Sequence, residues 1–205
     1  MHRPLRGVIL QPVQTTLPPP PAKHHLLITG GIILLAAGVL LAMGRGAISA
    51  SGRVMLWVGE AGSSETSQQI FDWYSFSHVI HGIAFYALFR LASFGRWSVG
   101  TCLIAAVALE AAWEIFENTP FTIDRYRTAT IALNYYGDSV LNSVMDILCC
   151  VAGFFLAWRV PVWVALGLVF VMEVGVAMVI RDNLTLNVIM FLWPIDAILK
   201  WQSGA

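Results

Sequence analysis

The sequence predicts an all-α protein, a polytopic membrane helix bundle with five to six transmembrane helices. Two observations carry this expectation. Of 205 residues, 58% are hydrophobic and only 12% charged, whereas an ordinary soluble domain is about 25% charged; mean hydropathy is +0.72. The apolar residues also gather into runs close to the roughly 20 residues a helix needs to cross a bilayer. The formal net charge is zero, so no basic patch argues for nucleic acid as a partner. Cys102, Cys149 and Cys150 all lie inside apolar runs and form no paired C-x-x-C motif; they read as buried thiols.

The elements follow in order. Residues 1–25 are Pro-rich and carry Arg3, Arg6 and Lys23. Consecutive prolines favour an extended chain and exclude a helix, so this segment reads as a disordered cytoplasmic tail. Residues 26–199 then form a single transmembrane domain. Its first span is 26–43; a cleaved signal peptide is the rival, since small residues ("AISAS") follow. The polar leader is long for that, and a retained helix is expected. A polar, turn-rich loop to about residue 74 reads as exposed. Further spans are expected at 75–93, 98–117, 139–158 and 161–180. Pro120 and Gly137 mark 118–138 as a loop. The last apolar stretch, 184–199, is interrupted by Pro194 and Asp196. It is expected to be a sixth span, with a re-entrant or interfacial segment as the alternative, and 200–205 form a short tail.

Lys and Arg asymmetry sets orientation. With the amino terminus inside, Arg3, Arg6, Lys23, Arg90, Arg96, Arg159 and Lys200 face the cytoplasm, against Arg45, Arg53, Arg125, Arg127 and Arg181 outside. A multi-pass protein of the cell inner membrane with a cytoplasmic amino terminus is expected, with the lipid bilayer as its first partner.

Ionisable groups inside membrane helices are costly and usually face a protein interior or a wet cavity. Here "ALEAAWEIFEN" carries Glu110, Glu114 and Glu117 at spacings of four and three, near one helical face. Antiparallel order brings the end holding Glu114 and Glu117 beside the start of the second span, with His78 and His81, and the start of the fourth, with Asp138, Asn142 and Asp146. Ionisable groups from several helices thus meet in one leaflet, the periplasmic one. Two chemistries fit this set. In one, His78, His81, Glu114 and Asp138 ligate a divalent metal, as His and carboxylates on facing helices do in bundle sites. In the other no metal takes part, and His81, Glu114, Glu117 and Asp138 act as acid, base or shuttle. Arg125, Arg127 and Arg181, with Asn142, would hold an anionic substrate group. Glu110, the deepest glutamate, also reads as a protonated carboxyl bridging helices. Trp57, Trp113, Tyr135 and Tyr136 read as interfacial anchors.

The set "FSHVIHG", "WEIFENTPFTIDRYR", "GDSVLNSVMDILCCVAGF" and "IRDNLTLNVIMFLWP" resembles an uncharacterised family of proteobacterial multi-pass inner-membrane proteins of unknown function, over about residues 30–197. More remotely, the order of His81, Glu114 or Glu117, Arg125, and Asp138 with Asn142 is similar to that in VanZ-like membrane proteins. Glu110, Asp146 and a long loop before Asp138 depart from that pattern. The remoter likeness implies a role in the cell envelope.

The function expected is a protein acting on a lipid-linked or envelope substrate. A transporter is the second class, and it requires a polar path through both leaflets. An accessory subunit is the third, with buried polar groups that only fix helix packing. Neither the substrate, nor whether the protein is an enzyme, nor its oligomeric state follows from these residues.

Overall fold

The computed structural model describes residues 17–204, so most of the Pro-rich tail, residues 1–16, lies outside the described residues. Eight helices follow: α1 (Lys23–Ala42), α2 (Ser75–Ala92), α3 (Val99–Glu117), α4 (Pro120–Ala129), α5 (Val140–Arg159), α6 (Val162–Ile180), α7 (Leu184–Leu192) and α8 (Asp196–Ser203). Among the described residues no strand forms, and a single isolated bridge joins Trp57 to Phe71. Among the described residues four helices, α1, α3, α5 and α6, are long and apolar enough to cross a membrane. The protein is a helical membrane bundle.

The centre of the bundle is α2, α3 and α5, with α1 packed on α3. Their shared core is apolar: Leu103, Ala106, Val107, Ile147, Phe154 and Trp158 are buried together. The tightest crossing is α2 on α5. Gly82 lies against the Cys150 carbonyl, and Gly153 against the Val79 carbonyl, so close that a Cβ at either position would overlap backbone. Small residues that let backbones touch are a recurrent device of membrane helix pairs. By contrast, α6 buries only Ala165 and Val176. It leaves Trp163, Leu166, Phe170 and Met178 exposed, as suits a helix whose outer surface is covered by lipid tails.

The structure differs from the sequence expectation in three places. The segment 118–138 contains helix α4. Thr119 caps it by accepting from the Thr122 N–H, and Pro120 occupies the first turn, where its missing N–H is no loss. The stretch 184–199 is two short helices instead of one span-length rod: α7 ends at Trp193–Pro194, and α8 begins at Asp196 and takes in most of the expected 200–205 tail. Proline cannot continue a helix after a preceding turn without losing a hydrogen bond. Lastly, the 44–74 connection is not uniformly exposed. Gln69 is fully buried, and the connection is stitched to the start of α5. There Ser139 N–H donates to Ser67 O, and Asn142 Nδ2 donates to Gln69 O.

Candidate functional site

The ionisable residues of α2, α3 and α5 meet at one end of the bundle. Because α2 enters where α3 leaves, His78 and His81, one turn apart, face Glu110 and Glu114, one turn apart on α3. His78 Nδ1 hydrogen-bonds Glu110 Oε1 at 2.5 Å, and His81 Nδ1 lies 3.2 and 3.1 Å from the two Glu110 oxygens. Glu114 Oε1 is 3.3 Å from the same His78 nitrogen but accepts no hydrogen bond, although the side chain is 1% exposed. On its other edge His78 Nε2 approaches Asp146 Oδ2 at 3.8 Å. Asp146 in turn accepts from Ser75 Oγ at 3.1 Å. Glu110 and Glu114 are thus buried carboxylates arranged about one imidazole.

Asp138 stands just before α5 and is held differently. Its Oδ2 accepts from Asn118 Nδ2 at 2.7 Å and from the Tyr135 hydroxyl at 3.0 Å, while its backbone N–H donates to Asn118 Oδ1 at 2.7 Å. Burial raises the Asp138 carboxyl to about 6, against the opposing pull of the Asn118 and Tyr135 hydrogen bonds. Burial likewise pushes the Tyr126 phenol far above its ordinary value, with the Glu117 carboxylate beside it adding to the effect.

These groups border a cavity of about 320 Å³. His78, His81, Glu114, Glu117, Asp138 and Asp146 form its polar side. Its other walls are Phe85, Leu109, Trp113, Tyr126, Tyr135, Leu184 and Val188. Among the described residues no Lys or Arg lines it.

The structure brings together His78, His81, Glu114, Glu117 and Asp138, as the alternation of helices predicts. It also places Glu110 at the centre, bonded across helices from α3 to both imidazoles of α2. Two groups have ligand atoms close enough together to hold one metal ion: His78 with His81 and Glu110, and His78 with Glu114 and Glu117. Asp138 belongs to neither. Asn142 is buried in the link to Gln69. The three arginines lie elsewhere. Arg125 donates to the Phe191 and Leu192 carbonyls at the end of α7. Arg127 stacks over the Tyr136 ring at 4.6 Å, and Arg181 donates to the Trp201 carbonyl. Glu173 accepts from the Leu184 and Thr185 N–H groups and so caps α7.

Sequence reasoning missed Ser67, Tyr74 and Tyr126 as cavity residues and assigned Trp113 and Tyr135 to the membrane interface. A carboxylate buried at a helix end needs hydroxyl donors. The tyrosines of "DRYR" and "NYYGD", close in sequence to Glu117 and Asp138, were the available signal.

The fold and the site together describe a helical membrane protein with a buried, acid-rich cavity at one end of its bundle. Residues 40–204 match the family described as protein of unknown function (DUF2585), and the chain belongs to it. A UPF0314 protein of Paracoccus denitrificans is 53% identical over 165 residues, covering 80% of this chain and 85% of the relative. Another from Sinorhizobium fredii is 52% identical, covering 79% and 82%. A third, from Sphingopyxis alaskensis, is 50% identical, covering 82% and 89%. No solved structure matches the chain.

Proposed function

We propose that this protein is an inner-membrane protein with its amino terminus in the cytoplasm, and that its cavity, at the periplasmic leaflet, acts on a lipid-linked or envelope amphiphile. In this reading α2 crosses the membrane beside α1, α3, α5 and α6. The observation that carries the proposal is the two-sided cavity. A buried ionisable floor faces aromatic and aliphatic walls, and two of the wall residues, Leu109 and Val188, are 40% and 42% exposed. In a bilayer such a rim meets acyl chains, so a lipid can enter sideways with its polar group reaching the acids.

Each residue then has a role its contacts support. Glu114, with an oxygen free of partners, is the base that takes a proton from water or from a head-group hydroxyl. Glu110 holds both imidazoles in place at the cavity edge. Asp138 and Tyr135 orient the polar group. Among the described residues no arginine lines the cavity, which favours a head group that is neutral, cationic or accompanied by a cation. The VanZ-like resemblance agrees with an envelope substrate. A transporter is disfavoured by the apolar core of the bundle, in which Leu103, Val107, Ile147 and Phe154 are buried together.

The test compares envelope lipids and glycans from a deletion strain complemented with wild-type protein or with Glu114→Gln at matched protein level. The expected result is a defined species that accumulates only with Glu114→Gln, a change that keeps the side chain's shape. Profiles identical between the two strains would overturn the proposal.

A further inference from the structure

We infer that His78, His81 and Glu110 bind one divalent transition-metal ion, with Glu114 facing it from the cavity side. The inference rests on this cavity being the functional site, and on no particular substrate. Three observations lead to it. First, the donor atoms of His78, His81 and Glu110 converge within a few ångströms, on two rigid helices, in the spacing a single ion requires. The two imidazole nitrogens lie 2.5 to 3.2 Å from the Glu110 oxygens, and these contacts would widen as the donors settle about 2.0–2.1 Å from a shared ion. Second, Glu114 Oε1 is buried, without a hydrogen-bond partner, and points at the same His78 nitrogen from the cavity. A buried carboxylate oxygen left unpaired is expensive, and a cation satisfies it. Third, Glu110, Glu114 and Asp146 are all buried about His78, and among the described residues no Lys or Arg lines the cavity, so three acids crowd a place where a cation would be welcome.

The donor set selects the class of ion. Two imidazoles with carboxylates suit Zn, Mn or Fe, whereas Mg and Ca prefer oxygen alone. Carboxylates from facing helices are also how bundle metal sites are commonly built. The open side of the ion faces the cavity, where a head-group oxygen or water would complete its coordination. That supplies the cation by which an otherwise acidic cavity could accept an anionic head group.

The test uses full-length protein purified in detergent, stripped with a chelator, and titrated separately with Zn²⁺, Mn²⁺ and Fe²⁺. Metal retained per chain is measured after desalting. One ion per chain is expected for at least one metal. His81→Ala and Glu110→Gln should weaken binding by about 10-fold or more, while Glu173→Gln, which alters only the cap of α7, should bind as wild type. Titration of the wild-type protein with Co²⁺ needs no variant; visible absorption bands of a low-coordinate N/O site are expected. Absence of retained metal together with absence of those bands would overturn the inference, as would unchanged affinity in folded His81→Ala and Glu110→Gln. The two proposals fail separately. A metal-free protein whose Glu114→Gln strain still accumulates a lipid loses only the ion, and a metal-binding protein with unchanged lipids loses only the substrate reading.

Discussion

Substituting Gly82 by Ala should loosen the contact that sets the site. The new methyl would overlap the Cys150 carbonyl and the Phe154 backbone nitrogen. Neither of these can rotate away as a side chain could, so α2 and α5 must separate by about an ångström to reach ordinary contact. Overpacking of this kind costs about 1–3 kcal/mol, and backbone against backbone places it near 3. The better helix propensity of Ala returns up to about 1 kcal/mol, leaving a net loss of about 2. For a protein of this size that lowers the melting temperature by about 4–8 °C. The assay is thermal unfolding of the purified protein in one detergent, with Gly30→Ala and Gly167→Ala as controls. No atom lies within 4 Å of a Cβ at those two positions, so the controls should be neutral or slightly stabilising. Gly153→Ala meets the Val79 carbonyl across the same crossing. The double variant should therefore lose less than the sum of the two, because one separation relieves both overlaps. If Gly82→Ala melts with or above the wild type, the close crossing is not what holds His78 against Asp146.

Two further outcomes are expected. Asp138→Asn keeps an oxygen for Asn118 and Tyr135 but removes a titrating group. In the wild type the folded carboxyl is raised from 3.8 to about 6, so the folded state holds its proton to higher pH than the unfolded state. Stability from this residue is therefore full below about pH 4 and falls as pH rises to about 6, by about 3 kcal/mol for a shift of about two units. Melting temperatures measured from pH 4 to 7 should show a shallower decline in Asp138→Asn; an unchanged slope would refute the assignment. Arg125→Ala removes two charge-assisted hydrogen bonds to the end of α7 and should cost about 1.5–3 kcal/mol locally. Faster hydrogen exchange confined to α4 and α7 would register it, and uniform exchange across the protein would argue against a local latch.

Much of the site was legible beforehand because helix alternation is a strong constraint. Once 75–93, 98–117 and 139–158 are helices that cross in alternating directions, the ends holding His78, Glu114 and Asp138 must lie at the same end of the bundle, whichever way the protein faces. The arginines were illegible for the opposite reason. Arg125, Arg127 and Arg181 sit in connections, where long side chains reach whatever carbonyl or ring the fold brings near, and no periodicity records which. Helix α4 was hidden because Pro120 reads equally as a breaker or as the first residue of a helix capped by Thr119. The burial of Gln69 was hidden because a polar, turn-rich loop carries no sign that it will be stitched to a distant helix.

By itself, then, the sequence determined the membrane class, through apolar runs too long and too poorly charged for a soluble core, and it determined which helix ends carry the ionisable groups. Only the tertiary structure decided which atoms share a site. The close α2–α5 crossing at Gly82 and Gly153 sets how far each helix is rotated about its axis. That rotation places Glu110, not Asp138, between His78 and His81, and it leaves one Glu114 oxygen facing them without a partner. A linear pattern specifies the face a residue occupies to within a turn, whereas hydrogen bonds and metal ligation depend on positions within an ångström.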